Sequence, residues 1–157
     1  MGPYAGENTQ GQYTVAIGTQ AGRNTQGSQC VAIGFDAGAY TQVTNAIAIG
    51  YRAGTTKQDA NSIAIGSSAG TGTQGQDSVA VGYQAGQYTQ GITATAIGSY
   101  AGQYGQSLRG VALGNLAANT GQGNNCVAVG SLSGQANQTA GAVALGYKAG
   151  QTEQGSN

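Results

Sequence analysis

A block of form apolar-Ala-apolar-Gly recurs every sixteen residues, starting at Val15, Val31, Ile47, Ile63, Val79, Thr95, Val111, Val127 and Val143, with Thr standing in for the first apolar residue at 95. No insertion or deletion interrupts the nine starts, and Gly2, Ala5, Gly6 and Gln10 place a partial coil at 2–14 in the same register. A fixed period of this length marks a stacked repeat architecture, in which each unit buries surface against its neighbours. Superposed, the copies give apolar-Ala-apolar-Gly-x-x-Ala-Gly-x-x-Thr-Gln-Gly-x-x-small. Column two is always Ala, column four always Gly and column twelve always Gln. Column seven departs from Ala only at Ser133, and column eight from Gly only at Ala118. One repeat domain over 1–157 follows.

The apolar residues of columns one and three alternate with Ala and Gly, which is the period-two pattern of a strand. Val and Ile favour that state through their stiff β-branched side chains. Helix is excluded by 30 Gly in 157 residues, each costing about 1 kcal/mol against Ala in a helix interior. Identical short strands at one spacing predict parallel stacking of coils at about 4.8 Å. The expected fold is an all-β parallel β-solenoid, a flattened β-roll of nine to ten 16-residue coils with two strand faces and two turns. Nine coils would make a rod of about 43 Å at that rise.

Composition alone would mislead. Val, Ile, Leu and Phe supply only 23 residues, a share that suggests disorder when net charge is high. Here five acidic residues balance five basic ones, and seventeen of the 22 Val, Ile and Leu fall in columns one and three. A disordered chain has no cause to place them so strictly. We take Val15, Ile17, Val31, Ile33, Ile47, Ile49, Ile63, Ile65, Val79, Val81, Ile97, Val111, Leu113, Val127, Val129, Val143 and Leu145 as the core. The alternation itself establishes only a shared face, which lines either the roll or an interface between subunits. Burying two such residues per coil yields about 3–6 kcal/mol, against an ordering cost of about 1.5 kcal/mol for each residue of the coil. A lone roll is therefore marginal, and self-association is expected.

Balanced charge leaves no basic stripe for phosphates, so nucleic-acid binding is not expected. No apolar run reaches the length that spans a bilayer, so membrane insertion is not expected either. The segment after Met1 has no signal-peptide pattern, and export is expected to use a removed leader, a larger parent chain or a virion.

Among polar features, the Gln column (Gln26, Gln42, Gln58, Gln74, Gln90, Gln106, Gln122, Gln138 and Gln154) is read as a structural ladder of stacked amides. Tyr83, Tyr88, Tyr100 and Tyr104 fall in two adjacent coils and form the candidate binding patch, since amphipathic rings suit sugar or protein contact. The competing reading is aromatic stacking that fills turns or a subunit interface. Cys30 and Cys126 share column sixteen six coils apart, about 29 Å at the coil rise, too far for a disulfide. Catalysis finds no support: His is absent, and Glu7, Asp36, Asp59, Asp77 and Glu153 share no column that would pair them. No catalytic residue, metal ligand or cofactor is expected. Thr25, Thr41, Thr73 and Thr89 share column eleven, a remote hint of an ice-binding face that fails at Lys57, Gly105, Gly121, Asn137 and Glu153.

Segments such as Asn61-Ser62-Ile63-Ala64-Ile65-Gly66 and Asp77-Ser78-Val79-Ala80-Val81-Gly82 resemble the head repeats of trimeric autotransporter adhesins, and similar repeats occur in fibre-like proteins of large viruses and phages. The resemblance covers about residues 2–157. It implies a left-handed roll, a homotrimer, and binding to extracellular matrix or other surfaces. The expected function is a non-enzymatic structural or adhesive segment of an extracellular, cell-surface or virion-surface fibre, with a glycan or surface protein as receptor. The alternative is a subunit that stacks end to end into a filament.

Overall fold

In a computed structural model that describes residues 2–154, and only the backbone of Gln154, the chain is a parallel β-solenoid of about nine turns. Among the described residues nineteen strands alternate between two sheets. Ten strands of two or three residues, from β1 (Thr9–Gln10) to β19 (Thr152–Gln154), form one sheet; nine three-residue strands, from β2 (Val15–Ile17) to β18 (Val143–Leu145), form the other. Every pairing is parallel and in register with the period: Val15 beside Val31, Ala16 beside Ala32, Thr25 beside Thr41. Two turns join the sheets in each coil. Among the described residues there is no helix.

The sixteen-residue step is held mainly by backbone. Residues of one coil donate to the next, as Gly22 N–H to Ala37 O and Val31 N–H to Ala46 O, while Gly34 N–H returns to Ile17 O. Columns six and fifteen turn through positive φ, from Gln20 at 58° to Lys148 at 56° and from Tyr13 at 60° to Asn125 at 58°. Together with the left-handed residues of column eight, such as Gly22 at 53°, these bends close the coil. Column four bends harder, with Gly50 at 132°, a region that favours glycine. A Cβ on Gly50 would also lie 2.6 Å from the carbonyl oxygen of Gly66, its counterpart one coil on. The glycine column excludes its own side chains.

The core differs from the one expected. Val15, Ile17, Val31, Ile33, Ile47, Ile49, Ile63, Ile65, Val79, Val81, Ile97, Val111, Leu113, Val127, Val129, Val143 and Leu145 face outward from the roll, half-buried or exposed. The interior is lined instead by the alanines of columns two and seven, such as Ala32, Ala37, Ala48 and Ala53, all wholly buried. Column sixteen adds Cys30, Ala46, Ser62, Ser78, Ala94 and Cys126, also wholly buried. Column two lies between one and three on a pleated strand, so only one set points inward. Two sheets joined by tight turns leave room there for Cβ atoms and not for branched side chains. Thr95, a polar residue in column one beside the unvarying Ala of column two, was the signal that the bulky face is the outer one.

The largest side chains inside are amides. Gln26, Gln42, Gln58, Gln74, Gln90, Gln106 and Gln122 are each at most 2 % exposed. Each Nε2 reaches across the roll to a column-one carbonyl, as Gln58 to Ile47 O at 2.9 Å and Gln74 to Ile63 O at 2.9 Å. The same nitrogen donates to the next coil's Oε1, giving an unbroken run from Gln26 to Gln106 with bonds of 2.8 to 3.2 Å. Gln122 continues it to Gln138. A primary amide of this length has the two donors and the acceptor that the position uses; glutamate lacks the donors and asparagine the reach. The side chain of Gln154 lies outside the described residues.

The run breaks between Gln106 and Gln122. Gln122 Oε1 has no hydrogen-bond partner there and sits 2.5 Å from where a Cβ of Gly110 would be. The coil of Gln122 is also the one in which Ala118, at φ 44°, replaces the column-eight glycine. Ala118→Gly relieves the left-handed backbone and frees space beside the amide. We expect a gain of about 1 kcal/mol, read as a higher urea midpoint at unchanged slope.

Candidate functional site

Four tyrosines of two adjacent coils lie where the first turn passes into the Thr-Gln sheet. Tyr83 and Tyr100 meet edge to face, with centroids 5.2 Å apart and planes at 86°. Tyr88 stacks on Tyr104 at 4.9 Å and 14°, one ring per coil. The four predicted patch residues thus form two pairs on adjacent coils. Tyr83, Tyr88 and Tyr104 are about half exposed and Tyr100 less so. Partial desolvation pushes the Tyr100 hydroxyl above its ordinary value, followed by its hydrogen bond with Tyr83 and the charges of Tyr83 and Tyr104. That coupling places Tyr104 within electrostatic reach of the first pair.

From Tyr83 runs a chain of amides that the sequence reading did not single out. Asn119 Nδ2 donates to Gln103 Oε1 at 3.1 Å; Gln103 Nε2 donates to Gln87 Oε1 at 2.8 Å and Gln84 Oε1 at 2.7 Å; Gln84 Nε2 donates to the Tyr83 hydroxyl at 3.0 Å. The repeat held the signal, because column nine carries Gln87, Gln103, Asn119, Gln135 and Gln151 in five successive coils. Formal charge is absent from Ser78 through Leu108. The corner combines aromatic faces, a fixed array of amide donors and acceptors, and neutrality.

Other features lie apart from these four tyrosines. Phe35 stacks on Tyr51 at 5.5 Å, and Lys148 lies over the Tyr147 ring at 5.2 Å. Glu7 pairs with Arg23 and Asp59 with Lys57, all partly solvated. Such surface pairs contribute little. Cys30 and Cys126 are free and buried, each thiol 2.8 Å from a carbonyl of the next coil, Val43 O and Thr139 O respectively. Burial pushes the Cys30 thiol up. Thr25, Thr73 and Thr89 are exposed and Thr41 half-buried on the outside of the Thr-Gln sheet, with Lys57 between Thr41 and Thr73. No group of three or more His, Cys, Asp or Glu side chains converges among the described residues, and no helix there is long and apolar enough to cross a membrane.

Fold and surface together define a parallel β-solenoid with an apolar ribbon along one sheet and an aromatic–amide corner beside the other. Residues 44–69 match the YadA head domain repeat in two copies. Together with the solenoid around them, these residues are similar to the head-like repeats of trimeric autotransporter adhesins. No curated protein and no solved structure gives a match.

Proposed function

We propose that this chain is a rigid structural and adhesive segment of an extracellular or virion-surface fibre, built as a homotrimer of left-handed rolls. The observation that carries the reading is the ribbon of seventeen Val, Ile and Leu side chains outside the roll. A contiguous apolar stripe of this length on a soluble surface marks an association face. YadA head domains self-associate as trimers, and three copies with their ribbons turned to a common axis would bury the residues that the roll itself leaves out. Burying the ribbon supplies the apolar stabilisation that an alanine interior lacks. The Thr-Gln sheet and the tyrosine corner then face outward, where attachment takes place.

Light scattering on the purified chain tests this. A discrete particle of three chains supports the trimeric segment. A single-chain mass, with the β signal in circular dichroism intact, refutes it. Long threads of uniform width would favour end-to-end stacking, the alternative filament reading. Val79→Lys places a charge in the centre of the ribbon and is expected to shift the mass from three chains toward one, because an unpaired charge is not tolerated in a buried apolar interface.

A further inference from the structure

We propose that the corner formed by Tyr83, Tyr88, Tyr100 and Tyr104 is a binding site for a neutral saccharide. The inference deepens the adhesive part of the fibre reading and rests on it for its biological setting, while its chemistry stands on the corner alone.

A sugar ring offers an apolar C–H face and a rim of hydroxyls that both donate and accept. It needs an open aromatic face beside fixed polar groups of both kinds. Column ten supplies the face. It runs Gly72, Tyr88, Tyr104, Thr120, and the register of the Thr-Gln sheet sets Gly72 beside Tyr88. Tyr104 covers one face of the Tyr88 ring. On the other side Gly72 puts no side chain, and a Cβ there would collide with the Tyr88 carbonyl oxygen. Tyr88, about half exposed, therefore carries no column-ten side chain on its other side.

The amide chain supplies the polar partners. Gln103 is only 5 % exposed and binds three neighbours, Gln84, Gln87 and Asn119. These bonds hold the outer amides in place before a ligand arrives, which lowers the ordering cost of binding. The absence of formal charge from Ser78 to Leu108 selects the ligand class. An acidic saccharide, a phosphate or a strongly charged peptide would find no counter-charge to offset its desolvation. Tyr88 and Tyr104 lie at the Thr-Gln sheet, while the ribbon lies on the other sheet, so trimer formation and sugar binding at this stack do not compete.

The full chain should be titrated with maltotriose, cellotriose and triacetylchitotriose, and with 3′-sialyllactose as the charged comparison. Tyrosine emission is a clean readout, since the chain has nine Tyr and no Trp; saturation-transfer NMR reports on the sugar. We expect at least one neutral trisaccharide to give a saturable response and 3′-sialyllactose to give none. Tyr88→Ala and Tyr104→Ala should each weaken binding about tenfold or more. Tyr88→Phe, which keeps the stacking face, should retain it, and Tyr147→Ala, remote on the rod, should leave it unchanged. Unaltered circular dichroism excludes misfolding as the cause. The site is refuted if no neutral sugar binds, if only the sialylated one does, or if Tyr88→Ala binds as well as the parent. Light scattering on the same samples reports trimer assembly separately, so failure of the sugar site is distinguishable from failure of the fibre reading.

Discussion

Gln74→Ala is expected to lower the unfolding free energy by about 4 kcal/mol, measured by urea unfolding followed by circular dichroism. Gln74 is wholly buried. Its Nε2 donates to Ile63 O and to Gln90 Oε1, and its Oε1 accepts from Gln58. Truncation opens a void among alanines that cannot close, since their side chains end at Cβ. It also strips Gln90 Oε1 of its donor and leaves one hydrogen of the Gln58 amide unmatched. Each buried orphan costs about 1–3 kcal/mol, and the cavity adds to it. Gln76→Ala, on an exposed column two residues away, should change stability by less than about 0.5 kcal/mol. A loss at Gln74 no larger than that at Gln76 would show that the amide column is incidental. Because each coil touches only its neighbours, the damage should be local: hydrogen exchange should accelerate around Gln58, Gln74 and Gln90 before the ends.

The second large effect concerns the glycine column. Gly50→Ala is expected to prevent folding, or to cost well over 3 kcal/mol, because it combines two penalties. The residue sits at φ 132°, where a Cβ is strained by about 1–3 kcal/mol. That Cβ would also fall 2.6 Å from the Gly66 carbonyl oxygen, a backbone atom fixed by the coil stack. Gly146→Ala separates the two terms. Its φ of 113° is similarly unsuited to alanine, yet nothing lies within 4 Å of the added carbon. It should cost only the conformational share. Equal losses at Gly50 and Gly146, measured by thermal melting, would mean that the stacking contact contributes nothing.

Both predictions concern the columns that never vary, while columns one and three alternate freely between Val, Ile and Leu and admit Thr95. The difference follows from where the columns lie. Inside the roll each side chain touches its own copies above and below, so a change in one coil disturbs three. On the outer face a methyl more or less meets no fixed wall within the chain. Constancy in columns two and twelve therefore marked interior positions that hydrophobicity missed, while the equally buried column sixteen admits Cys, Ala and Ser, all small enough for the narrow roll.

Much of the fold was legible in the chain. The sixteen-residue step fixed parallel stacking and register, because only equivalent residues can pair when every copy has the same length; Val15 beside Val31 and Gln26 beside Gln42 follow from that alone. The ladder of amides was visible as a column, and the tyrosines as neighbours on adjacent coils. Three matters were decided by tertiary structure. Period two says that Val15 and Ile17 share a face and not which face is inward; the narrow cross-section left by two tight turns admits Ala and Gln and turns the branched residues out. The direction of the Gln amides, across the roll to Ile47 O or Ile63 O as well as along it, depends on how far apart the two sheets sit. The chain of Gln84, Gln87, Gln103 and Asn119 draws on columns six and nine, which are separate in sequence and meet only where the turn folds back against the sheet.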